Sequence, residues 1–544
     1  MVKQLLDRED VNPDKADNRG MTPLSWAAAY GHGLVVKQIL GREDVNADKP
    51  DNEGRTPLSW AAAQGHESVV KEFLDRRDVS PDRVDSEGIT PLSWAVRQGH
   101  ESVAKQLLSR EDVNPNKPDN KGRTPLSWAA IYGHGLLVKQ ILGREDVNPD
   151  KPDNEDRTPL FWAAIYGHGL VVKQLLGRED VNADKIDNKG GTPLSWAASA
   201  GHESVVKQLL GRGDVNPDRV DSEGITPLSW AVRQGDESVV KQLLGREDVN
   251  PNKPDNKGRT PLSSAAIYGH GLVVKQLLDR EDVNPDKPNN EGRTPLSWAA
   301  IYGHGLVVKQ ILGREDVNAD KPDNEGRTPL YWAARQGHES VVKQLLDRED
   351  VNPDKPDNEA NTPLSRAARY GHESVVKQLL HRHDVNPDKP DNGGGTPLSW
   401  AARKGHESVV KQLLDRQDVN PDKSDNEGRT PLSWASFCGH ELVVKKLLDR
   451  GDVSPDRSDN NRYTALSQTA SGERELVAKQ LLDREDANPP SQATKTGTHF
   501  HGLRYEGPNQ WLSKFCTGKT PNPTGETARS GLFYGGLFSS GLKR

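Results

Sequence analysis

Apolar residues fall in two short groups that return every 34 residues along most of this chain. Residues 51–84 show the pattern. Leu58, Ala61 and Ala62 lie on one face of a short helix. Thr56 can accept from an early backbone N–H, Pro57 is preorganised for the first helical position, and Gly65 ends the helix. After His66 and Glu67, Val69, Val70, Phe73 and Leu74 form the apolar stripe of a second helix. The run Asp78-Val-Ser-Pro-Asp then turns the chain, and Asp85-Ser-Glu-Gly turns it again before the next Thr-Pro-Leu. Each unit therefore reads as helix, tight turn, helix and long projecting loop, and the fold class is all-α.

Thr-Pro-Leu recurs without slippage from Thr22, Thr56 and Thr90 to Thr430, with a last copy, Thr-Ala-Leu, at Thr464. A fixed period of this length defines a solenoid of about 14 stacked units. Residues 1–16 read as a partial unit holding only a second helix, because Val2-Lys-Gln-Leu-Leu matches Val36-Lys-Gln-Ile-Leu; this start has the look of a truncated product or a fragment. Residues 17–488 form the array, whose final unit has Gln468 for Trp and Ala465 for Pro and serves as a degenerate cap. Residues 489–544 are rich in Gly, Ser, Thr and Pro and are expected to be disordered. Within them Gly531-Leu-Phe-Tyr-Gly-Gly-Leu-Phe is a short sticky motif for a partner or a membrane.

Composition agrees with a thin solenoid: 33% hydrophobic residues would be low for a globule of 544 residues. Net charge is -7, and since the tail carries +5 the array carries -12, which argues against nucleic acid as the main ligand. No apolar run is long enough to span a membrane. The N-terminus becomes charged too quickly for a signal peptide. Two cysteines, Cys438 and Cys516, cannot build a disulfide framework, so an intracellular, cytoplasmic or nuclear setting is the default.

Candidate chemistry is sparse. Trp occupies one helical position in eleven units and can be a base-stacking platform or, as favoured here, a packing contact between consecutive first helices; Ser264, Arg366 and Gln468 replace it elsewhere, and Arg366 marks a break in the row. Histidines from His32 to His440 recur too evenly to converge on one metal ion and read as turn residues bonding between units. Gly518-Lys-Thr lacks the earlier glycine of a phosphate loop. A side chain copied in every unit is a poor catalyst, so neither an enzyme, a cofactor nor a metal is expected.

Thr-Pro-Leu-Ser-Trp-Ala-Ala, then Gly-His, Val-Val-Lys-Gln-Leu-Leu and Asp-Val-Asn, resembles the ankyrin repeat over roughly residues 1–488. The resemblance implies a non-enzymatic protein-binding scaffold that uses a concave face and loop tips. Ser25 and its counterparts stand where the family usually has His, and the loop after Asn is longer, which implies a longer and less regular finger hairpin. The Ser-Trp variant looks like fungal ankyrin arrays; the alternative it brings is the sensing region of a NACHT-type receptor whose effector parts lie elsewhere.

Where the frame is constant, specificity belongs to the positions that vary. The two residues before each helix-ending Gly vary most. They display Ile131 and Tyr132 with Ile165 and Tyr166, and Ile267 and Tyr268 with Ile301 and Tyr302; a basic strip of Arg335, Arg366, Arg369, Arg403 and Lys404 follows, with Tyr370 next to Arg369 as a further candidate. These are the candidate anchors for an unknown protein partner, as exposed aromatic and Arg residues typically are. Units ending in Tyr mostly continue Gly-His-Gly-Leu, the others Glu-Ser, and the stretch from Asp82 to Arg97 returns 136 residues later from Asp218. A four-unit superperiod follows, and the array is expected to act as a monomer.

Overall fold

The computed structural model describes residues 8, 10–472 and 474–483. The expected half-unit helix at residues 1–7 and the tail from residue 489 lie outside them. Among the described residues there are 28 helices of seven or eight residues, in antiparallel pairs from Pro23–Ala29 with Gly33–Leu40 to Ala465–Ser471 with Glu475–Leu482, and no strand.

Local chemistry sets each pair. Thr56 Oγ1 accepts from the backbone N of Ser59, and the two hydroxyls lie 3.0 Å apart, both buried. Pro57 holds the first helical position. The serine that departs from the family's usual histidine is thus part of the helix cap. Leu58, Ala61 and Ala62 of the first helix and Val69, Val70 and Phe73 of the second are fully buried. The same positions in most other units join into one continuous core along the stack. Truncating one such Leu to Ala is expected to cost about 3 kcal/mol.

The finger between units is regular, contrary to expectation. Asp51 N donates to Arg55 O at 2.9 Å, Gly54 N donates to Asp51 O at 3.0 Å, and Asp51 Oδ1 accepts from the backbone N of Glu53 and Arg55. Gly54 adopts φ 80°, a left-handed conformation in which Ala360, Asp156 and Arg462 take its place in three other fingers. Fingers are stitched together by asparagine: Asn52 N donates to Arg19 O at 3.0 Å and its Nδ2 to Asn18 O at 2.9 Å, one unit back. The loop that follows the second helix is bonded as well. There Arg76 pairs with Asp78 at 2.6 Å and reaches Leu40 O of the preceding unit at 2.7 Å.

Candidate protein-binding face

The first helices and fingers share one face, and its chemistry centres on the finger aspartate. Trp60 Nε1 donates to Asp51 Oδ2 at 3.1 Å, Arg55 Nε donates to the same oxygen at 3.0 Å, and the Arg55 guanidinium lies 4.0 Å over the indole. A carboxylate, an indole N–H and a stacked guanidinium thus lock this finger to its own helix. Trp162 with Asp153 and Arg157, and Trp434 with Asp425 and Arg429, repeat the arrangement. Packing is therefore the right role for Trp, but its main polar partner is its own finger. Some rings also link units: the Arg97 guanidinium lies 5.2 Å from the Trp94 ring and 4.9 Å from Trp128.

Departures from Trp are compensated. Arg366, expected on the exposed strip and as a break in the row, is only 9% exposed; its Nη2 donates to Asp357 at 3.4 Å and its guanidinium packs 5.6 Å from Tyr331. It maintains the N–H bond to the finger and is not a surface anchor. Gln468 Nε2 does the same for Asp459 at 3.3 Å. Where Ser264 offers no such donor to its finger, Arg233 of the preceding unit pairs with Asp255 at 3.1 Å beside Arg259. Burial pushes the Arg233 guanidinium pKa below its usual range.

The Ile-Tyr positions separate by role. Ile131, Ile165 and Ile301 are half-buried and pack on the core; Ile267 is also half-buried. Tyr132, Tyr166 and Tyr268 are exposed and Tyr302 is half-exposed. Tyr132 stacks on Trp128, ring centroids 5.9 Å apart, and on His134 at 6.0 Å; Tyr166 and Tyr302 stack on Trp162 and Trp298 in the same way. One face of these three phenols thus rests on an indole, whereas Tyr268, with Ser264 in place of Trp, stacks only on His270 among the described residues. Burial raises the Tyr166 pKa.

Four leucines join these tyrosines, and the sequence reading missed them. Leu136, Leu170, Leu272 and Leu306 are 57–62% exposed at the start of the second helices in the Tyr units. A Cβ at Gly135 would come within 2.8 Å of Leu170 Cδ2, and Gly271 stands to Leu306 in the same relation, so glycine lets neighbouring units bring their leucines together. The signal was present in the Gly-Leu alternative to Glu-Ser.

In the basic strip, Arg335, Arg369, Tyr370, Arg403 and Lys404 are half-exposed. Arg369 lies 4.2 Å over Trp400, Arg403 lies 4.1 Å over Trp434, and Arg335 lies 5.2 Å from Trp332 and 5.9 Å from Tyr370. The histidines stand where the spacing placed them: His66 Nε2 bonds Ala29 O at 3.0 Å, and His372 Nε2 bonds Arg335 O at 2.9 Å, each across a unit boundary. No group of three metal-ligating side chains and no helix long and apolar enough to cross a membrane is present among the described residues.

A stack of capped helix pairs with hydrogen-bonded fingers defines a repeat solenoid of the kind that presents a binding surface. The family model described as Ankyrin repeats (3 copies) matches in overlapping segments from residues 1–85 through 228–321 to 398–493, and the chain belongs to the ankyrin repeat family. Ankyrin repeats are generally protein–protein interaction modules. No curated protein matches this sequence.

Proposed function

We propose that this chain is a binding scaffold that grips a protein partner through two matching Tyr–Leu patches. The observation that carries this reading is the exposure of Tyr132, Leu136, Tyr166 and Leu170, and of Tyr268, Leu272, Tyr302 and Leu306 four units further on. Glu-Ser units stack equally well without these side chains, so the fold does not require them. Rigid aromatic rings beside exposed leucines are suited to anchoring a partner, because little conformational entropy is lost on contact. Two such patches on one continuous array also allow bivalent capture, in which the second contact forms at high effective concentration.

The test is affinity capture with wild-type chain and a variant carrying Tyr132→Ala, Tyr166→Ala, Tyr268→Ala and Tyr302→Ala. Partners retained by the wild type are expected to be lost by this variant and weakened by either half of it. Undiminished affinity of every captured partner for the fourfold variant would sink the reading.

A further inference from the structure

We propose that the hollow over Trp400 is a pocket for the carboxylate of an acidic side chain on a partner peptide. The proposal rests on the scaffold reading above and names a partner chemistry for a second part of the same face.

The hollow has a volume of about 350 Å³ and is lined by Asn361, Arg369, Trp400, Arg403, Arg429 and Trp434, among others. Two missing side chains open it. Gly393 and Gly395 stand where the finger of the Thr56 unit has Glu53 and Arg55. In the Thr56, Thr124, Thr158, Thr328 and Thr430 units the finger Arg covers its own Trp at 4.0, 3.9, 4.1, 4.4 and 4.0 Å. Gly395 supplies no such cover for Trp400.

The carboxylates around the hollow are engaged. Asp391 accepts from the backbone N of Gly393 and Gly395 at 2.9 and 2.8 Å and from Trp400 Nε1 at 2.7 Å. Asp425 and Glu427 hold Arg429 at 3.0 and 2.6 Å, and Glu359 lies 3.5 Å from Arg366. Arg369 is different. It is half-buried, rests on the Trp400 ring, and has no carboxylate within ion-pairing distance among the described residues. Burial, with Arg366 and Arg403 nearby, lowers its pKa, which marks it as an under-neutralised cation.

A guanidinium stacked by its face retains in-plane N–H donors that match a carboxylate in bidentate geometry. The acid's aliphatic stem would lie on the indole. Glu359 and Glu427 at the same hollow repel any anion, a dianion about twice as strongly as a carboxylate, so a carboxylate fits better than a phosphate ester. The array as a whole is acidic, so general charge attraction cannot account for capture of an acidic peptide; the attraction must be local.

The experiment selects a phage-displayed library of random dodecapeptides on the full chain, with counter-selection on a Gly395→Arg variant. That substitution restores the finger arginine of other units and fills the hollow. Selected peptides are expected to share an Asp or Glu, and to lose at least ten-fold in affinity for Gly395→Arg and for Arg369→Met, both folded as judged by circular dichroism. Enrichment of Arg or Lys, no enrichment, preference for a phosphoserine version of the selected peptide, or equal affinity for Gly395→Arg would each overturn the pocket. A partner that needs the tyrosine patches but ignores both of these variants overturns the pocket and leaves the scaffold reading standing.

Discussion

Arg233 reaches out of its own unit and donates to Asp255 Oδ2 of the next at 3.1 Å. It does so where Ser264 has replaced the Trp whose indole N–H reaches the finger Asp in most other units. Arg233→Ala is therefore expected to cost about 1–2 kcal/mol, less than a sole buried ion-pair partner because Arg259 remains on Asp255. Ser264→Trp returns the native type of donor, and in that background Arg233→Ala should cost under about 0.5 kcal/mol. Urea unfolding of the four proteins measures the coupling; additive costs would refute it.

Ala360 occupies the finger position that is Gly in most units, at φ 63°. Its finger keeps the hairpin bonds of the glycine fingers: Asp357 N donates to Asn361 O at 2.9 Å and Ala360 N to Asp357 O at 2.9 Å. Relief of a left-handed alanine should outweigh the extra chain entropy of glycine, so Ala360→Gly is expected to stabilise by about 1 kcal/mol. A higher denaturation midpoint, with slower amide exchange at Asn392, is the readout.

Asp320 Oδ2 accepts from Asn352 N at 2.8 Å, yet its Oδ1 is buried without a partner. Burial pushes its pKa above the ordinary 3.8. A raised folded pKa means that the folded state binds the proton better, so this group's contribution declines as pH rises from about 3.8 through the folded value. Natural precedent exists within the chain: Asn116 accepts from Asn148 N at 2.8 Å and donates to Asp146 O at 2.6 Å. Asp320→Asn should stabilise by about 1 kcal/mol at neutral pH and flatten the acid side of the stability curve. An Asn variant less stable than wild type at pH 7 would contradict this.

Burial lowers the pKa of His372 and His440 below the ordinary 6.5. A depressed histidine contributes stability above its unfolded pKa and loses it as pH falls from about 6.5 toward the folded value. The unfolding midpoint should drop between about pH 7 and 5.5, and less so when both residues are Gln. An identical drop in the double variant would place its cause elsewhere.

Thr56, Pro57, Leu58 and Gly65 were legible in the sequence because caps and apolar periods act within one unit, and the 34-residue beat then dictates stacking. The candidate face was legible in part. Tyr132, Tyr166 and Tyr268 are exposed and Tyr302 is half-exposed; Ile131, Ile165 and Ile301 pack on the core, and Arg366 is buried with its guanidinium bonded to Asp357 of its own finger.

The chain by itself determined the repeat and the helix pairs. Only the tertiary structure decided that Leu170 rests over Gly135, that Arg233 serves the next unit's finger, and that Arg369 lies on Trp400 at a hollow lined by two glycines. The physical reason is distance along the chain. Stacking brings residues 22 to 37 positions apart within hydrogen-bonding reach, and which side chain fills the space between units depends on what its neighbour one unit away leaves open.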